Sequence, residues 1–132
     1  MKEVNYTESF YIAITYLFYA MSMADKTMAA HEKRSIVKSI RKDWATTKNG
    51  FNSEELMYNT MRTLIKKELT AETAFKEFKR FVEIHNDFFN EEIKYHLLEA
   101  SYKICNAHAG KNKSEVIILT KLDLLFNTEK LL

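Results

Sequence analysis

Hydrophobic residues recur along this chain at helical spacing, and they divide it into six stretches. The first, Phe10 to Ala24, is apolar or aromatic except at Thr15 and Ser22. A helix of that composition is greasy on nearly every face, which predicts a central post buried among other helices. Phe10, Ala13, Ile14, Leu17 and Met21 form one stripe, with Asn5 or Thr7 as the cap. Tyr11, Ile12, Tyr16, Phe18 and Tyr19 cover the remaining faces. That is more apolar surface than one flank of a small bundle needs to bury, so the outward aromatics Tyr11, Tyr16, Phe18 and Tyr19 are the candidate partner surface.

Asp25-Lys26-Thr27 reads as a turn, and the second helix follows with Ile36, Val37, Ile40 and Trp44 inward and Lys33, Arg34, Lys38, Arg41 and Lys42 outward. The polar run Thr46 to Asn49 and Gly50 ends it. Ser53 is the expected cap of a third helix with the stripe Leu56, Met57, Met61, Leu64 and Ile65. Thr70 restarts the chain into a fourth, faced by Ala71, Ala74, Phe75, Phe78, Phe81 and Val82. After a tight His85-Asn86-Asp87 connection a fifth helix begins near Phe88 or Asn90, carries Phe89, Ile93, Leu97, Ala100 and Ile104, and stops around Ala107. His108 to Lys111 form its turn. Asn112 caps the sixth helix with Glu115 as capping-box partner, followed by Val116, Ile118, Leu119, Leu122, Leu125 and Phe126. The fold class expected is all-α, a single-domain bundle of about six helices over residues 1–132.

Composition supports this reading and removes several function classes. There is no proline and there are only two glycines, which takes away the usual punctuation of strands and hairpins. A net charge of +2 is too mild for a nucleic-acid footprint, so no nucleic-acid partner is expected. Cys105 is the one cysteine, which points to a reducing, cytoplasmic setting. The apolar run of residues 10–24 rises only about 22 Å as a helix, short of a hydrocarbon core of about 30 Å, so no transmembrane segment is expected. A signal-peptide core ending in Ser22 and Ala24 would need a positive leading segment, where Glu3 and Glu8 stand against Lys2.

The first and last helical hairpins can be aligned at one constant offset. It pairs Phe10 with Ile93, Ile14 with Leu97, Leu17 with Ala100, Met21 with Ile104, Asp25 with His108, Glu32 with Glu115 and Ile36 with Leu119. A greasy helix ending in Ala24-Asp25, then a turn, then Glu32, with a weaker copy at Ala107-His108 and Glu115, resembles the TerB-like family, named for tellurite-resistance proteins. The chain departs from that pattern at Lys26, where the family has glycine, and at His108, where an acidic residue would stand. The resemblance implies an all-helical bundle, a cation-binding role at the turns, and association with tellurite and other stress resistance and with membrane-linked signalling or defence systems.

Asp25, Glu32, His108 and Glu115 are the candidate metal residues, because hard divalent cations take oxygen ligands that two acidic turns could supply. The local alternative is that these side chains cap helix starts. His31, His85, His96 and His108 have no partner at zinc-ligand spacing, and Cys105 near the end of an apolar stripe reads as a small buried thiol. No glycine-rich phosphate loop, nucleophile elbow or Ser-His-Asp ordering occurs, so no catalytic residue is assigned. The expectation is a non-enzymatic interaction module, with self-association into a homodimer through the first helix or binding of another protein. The alternative is a divalent-cation-binding protein.

Overall fold

The computed structural model describes residues 6–106 and 113–127. Among the described residues there are six α-helices: α1 (Glu8–Ser22), α2 (Ala30–Ser39), α3 (Ser53–Lys66), α4 (Ala71–Ile84), α5 (Glu91–Asn106) and α6 (Lys113–Asn127). A π-helical turn, Ile40–Trp44, extends α2, and a 3₁₀ turn, Asn86–Phe88, precedes α5. Among the described residues there is no strand.

α1 is the post that its composition predicts. All five other helices touch it, and most of its residues are buried, from Phe10 to Ser22. Thr7 caps it, the hydroxyl accepting the Phe10 N–H at 3.3 Å. The helices alternate in direction around the post, as a few contacts show. Tyr19, late in α1, donates to the Leu69 carbonyl just before α4 at 2.6 Å, while Phe10, early in α1, meets Phe88 after α4 at 5.7 Å. Cys105, late in α5, has its Sγ 4.0 Å from the Met21 carbonyl oxygen, so α5 runs parallel to α1 and the two helices end together. Phe126, late in α6, returns to Phe89 at 6.3 Å.

Aromatic side chains close the end where α1 starts. Phe10 stacks on Tyr6 at 4.2 Å and approaches Trp44 and Phe89 at 6.2 and 5.6 Å, and Phe78 joins Phe89 and Phe126 at 5.9 and 6.1 Å. Such offset and edge contacts add to the area they bury. The π-helical turn serves this cluster. Its wider turn advances each residue through a smaller angle than an α-turn does, which brings Trp44 back toward the line of Ile36 and Ile40, all three buried.

Several local expectations need correction. Asn52, not Ser53, caps α3, its Oδ1 accepting the Glu55 N–H at 3.1 Å. Ser53 is fully buried and acts as a bracket: its hydroxyl donates to the Trp44 carbonyl at 2.6 Å and accepts the Thr46 N–H at 2.7 Å. The turn after α1 is longer than Asp25-Lys26-Thr27, since α2 starts at Ala30. Phe89 lies ahead of α5 rather than on its stripe, and Asn90 caps that helix by accepting the Ile93 N–H at 2.9 Å. The expected stop at Ala107, the turn at His108 to Lys111 and the Asn112 cap lie outside the described residues.

Among the described residues, two charged ones hold left-handed backbone, Lys26 at φ 73° and Glu68 at φ 53°. Glu68 sits at the left-handed position of a Schellman close to α3: Leu69 N–H bonds the Leu64 carbonyl at 3.3 Å and Glu68 N–H the Ile65 carbonyl at 3.1 Å.

Candidate functional site

The four aromatics of the expected partner surface do not form one. Tyr11, Phe18 and Tyr19 are buried at 5%, 0% and 1% exposure, because α1 spends its surplus apolar faces on five neighbouring helices of its own chain. Tyr16 is half-buried and lines a shallow depression of about 370 Å³ with Ile12, Arg80 and Ile84. Burial also raises the Tyr19 phenol above its ordinary pKa, with the Glu68 carboxylate adding to the effect, and the phenolic O–H is spent on the Leu69 carbonyl.

The acidic turns have local work. Glu32 is the third residue of α2, buried, and its Oε1 accepts the Ala29 N–H at 2.8 Å. This is one half of a capping box, since Ala29 has no side-chain acceptor to return the bond. Asp25 Oδ1 accepts the Thr27 N–H at 3.2 Å. Glu115, likewise the third residue of its helix, is equally buried. His108 lies outside the described residues. Among the described residues, no three His, Cys, Asp or Glu side chains gather where one metal ion could be held. Cys105 is a fully buried thiol. No described helix is long and apolar enough to cross a membrane.

The feature that stands out runs along α4 and α6, from the α1–α2 and α3–α4 connections and the start of α6 as far as Glu83 and Leu125. There a groove of about 1440 Å³ opens beside the last turn of α1, between α4 and α6. Tyr19, Leu69, Phe75, Ile118 and Leu125 form its apolar depth, and Met23 and Met28 border it. Ile65, Ile117 and Leu124 bring large apolar side chains to its mouth at 40%, 48% and 49% exposure. Lysines stand on both sides, Lys76 and Lys79 on α4, Lys121 on α6, and Lys26 and Lys33 along the α1–α2 connection and α2. Glu68, Glu72 and Glu83 are the acidic members. Among the described residues the ion pairs all lie elsewhere, Arg41 with Glu54, Lys94 with Glu91, His96 with Glu92 and Lys103 with Glu99.

No family model matches the chain, and no curated protein or solved structure matches it either. The site is therefore read from its own geometry. Sequence reasoning missed the groove because its walls come from segments far apart in the chain. One signal was available: Ile117 and Leu124, seven residues apart with Lys121 between them, lie off the buried line of Ile118, Leu122 and Phe126, so α6 carries a second apolar stripe that the core does not use.

Proposed function

We propose that this protein is a non-enzymatic helical interaction module that docks a partner in the groove between α4 and α6. The observation that carries the reading is the cluster of Ile65, Ile117 and Leu124 at the groove mouth. Scattered apolar side chains on a surface need no explanation, whereas several converging on one concavity mark a docking site. The reading puts the partner surface between α4 and α6 rather than on Tyr11 and Phe18 of α1, which are buried.

The kinship proposed with TerB-like stress-resistance proteins draws support from three features. Glu32 and Glu115 occupy the same third position of their helices and are equally buried, and α1 and α5 end side by side at Met21 and Cys105. The paired apolar positions Ile14 and Leu97, Met21 and Ile104, and Ile36 and Leu119 are likewise buried in both hairpins.

The test is a nuclear magnetic resonance titration with a helical peptide bearing a leucine stripe and uncharged glutamine flanks. Shifts are expected to cluster at Ile65, Leu69, Phe75, Ile117 and Leu124 and to vanish in an Ile117→Ser/Leu124→Ser variant of unchanged melting temperature. A saturating peptide that moves none of these resonances removes the reading.

A further inference from the structure

We infer that the occupant of the groove is an acidic amphipathic α-helix of a partner protein; this rests on the groove being a docking surface and adds the chemistry of what docks. Charge is the first argument. Five lysines and three glutamates line the groove, and among the described residues none of the five lysines lies in an ion pair. The lysines come from three parts of the lining, Lys76 and Lys79 from α4 beside Glu72 and Glu83, Lys121 from α6, and Lys26 and Lys33 from the α1–α2 connection and α2. An apolar stripe at i, i+3 or i+4 and i+7 with Asp or Glu on both flanks is the helix surface that complements such a rim.

Size and shape are the second argument. Small-molecule sites hold about 300–1,000 Å³, and this groove is larger, about 1440 Å³. Its wall residues on α4 run from Glu72 to Glu83, about three helical turns, so a partner helix lying along them makes contact over about the same length. Met23 and Met28 at its border supply adaptable, unbranched contacts of the kind that suit helix-in-groove recognition. A second copy of this chain brings a face with the same excess of lysines over glutamates, whereas an acidic helix brings the opposite charge. A bilayer surface is flat and does not follow a concavity between two helices.

The experiment compares three capped helical peptides of about 18 residues, which span about 27 Å and exceed the groove contact. They share one leucine stripe and differ only in flanks of Glu, Gln or Lys, and binding to the full chain is read by fluorescence anisotropy at about 0.15 M salt. The Glu-flanked peptide is expected to bind at least about tenfold more tightly than the Gln-flanked one, about 1.4 kcal/mol, with the Lys-flanked peptide weakest. That preference is expected to disappear in Lys76→Glu/Lys79→Glu, and at about 1 M salt in the unaltered protein, a control that needs no substitution. Equal binding of the Glu and Gln peptides overturns the acidic partner and leaves the groove as a docking site. Binding of none of the three overturns both. Tighter association with vesicles of phosphatidylcholine and phosphatidylglycerol than with the Glu peptide assigns the surface to a membrane and overturns the inference. So does a dimer, seen by sedimentation, that Ile117→Ser/Leu124→Ser dissociates.

Discussion

Replacing Ser53 with alanine tests whether the fold depends on a buried bracket or on an ordinary helix cap. The hydroxyl has one proton, which goes to the Trp44 carbonyl at 2.6 Å, and it accepts the Thr46 N–H at 2.7 Å. The Thr46 carbonyl is spared by the substitution, because it also accepts the Ser53 backbone N–H at 3.0 Å. Ser53→Ala therefore strands one carbonyl and one amide. A buried polar group left without its partner costs about 1–3 kcal/mol. The half-buried Thr46 amide belongs at the low end, so the two together come to roughly 2–4 kcal/mol. For a chain of 132 residues that lowers the melting temperature by about 10 °C. Asn52→Ala removes the actual cap, whose acceptor is exposed, and costs about 1 kcal/mol. Urea unfolding of both variants at one protein concentration gives the comparison. If Ser53→Ala costs no more than Asn52→Ala, the bracket is wrong and Ser53 is only a helix-start residue.

Three further outcomes follow from the same contacts. Phe18→Ala, at a fully buried position, is expected to cost about 3–5 kcal/mol and to lower the melting temperature without altering sedimentation; a change in oligomeric state with unchanged stability would return the partner surface to α1. Tyr19 has a phenol pKa raised by burial, so its contribution to stability is complete below the unfolded value of about 10 and is lost as pH rises through the folded value. Tyr19→Phe is expected to lose less stability than the unaltered protein between about pH 9 and pH 11, measured by melting temperature, and an equal or greater loss contradicts the burial argument. Glu32→Gln keeps an acceptor for the Ala29 N–H and is expected to lie within about 0.5 kcal/mol of the unaltered protein, whereas Glu32→Ala loses about 1 kcal/mol or more; calorimetric unfolding separates them.

Helical periodicity made the six helices and the core legible, because burial of Ile14, Leu17, Ile36, Met57, Phe78 and Leu97 follows directly from spacing. Neighbouring residues of similar capping ability were not separable: Asn52 and Ser53 are both good caps, and the choice depends on Trp44 and Thr46 arriving from the previous connection. The aromatics of α1 were misassigned for a related reason. A helix greasy on all sides looks the same in sequence whether its neighbours come from its own chain or from another, and here its own chain supplies five. The groove depends on the juxtaposition of α4 and α6, a tertiary fact that no local pattern carries, although the second stripe of α6 hinted at it.

Lys26 and Glu68 share one trade-off. Both stand on the groove wall, and both hold a backbone conformation that L-residues enter at a cost of about 1–2 kcal/mol and glycine enters freely. The chain thus forgoes stability at two places where it keeps a charged side chain on the groove wall. Because the two charges are opposite, the double replacement Lys26→Gly/Glu68→Gly leaves the net charge of the protein unchanged. That one variant would relieve the strained backbone at both positions while removing one charge of each sign from the groove wall.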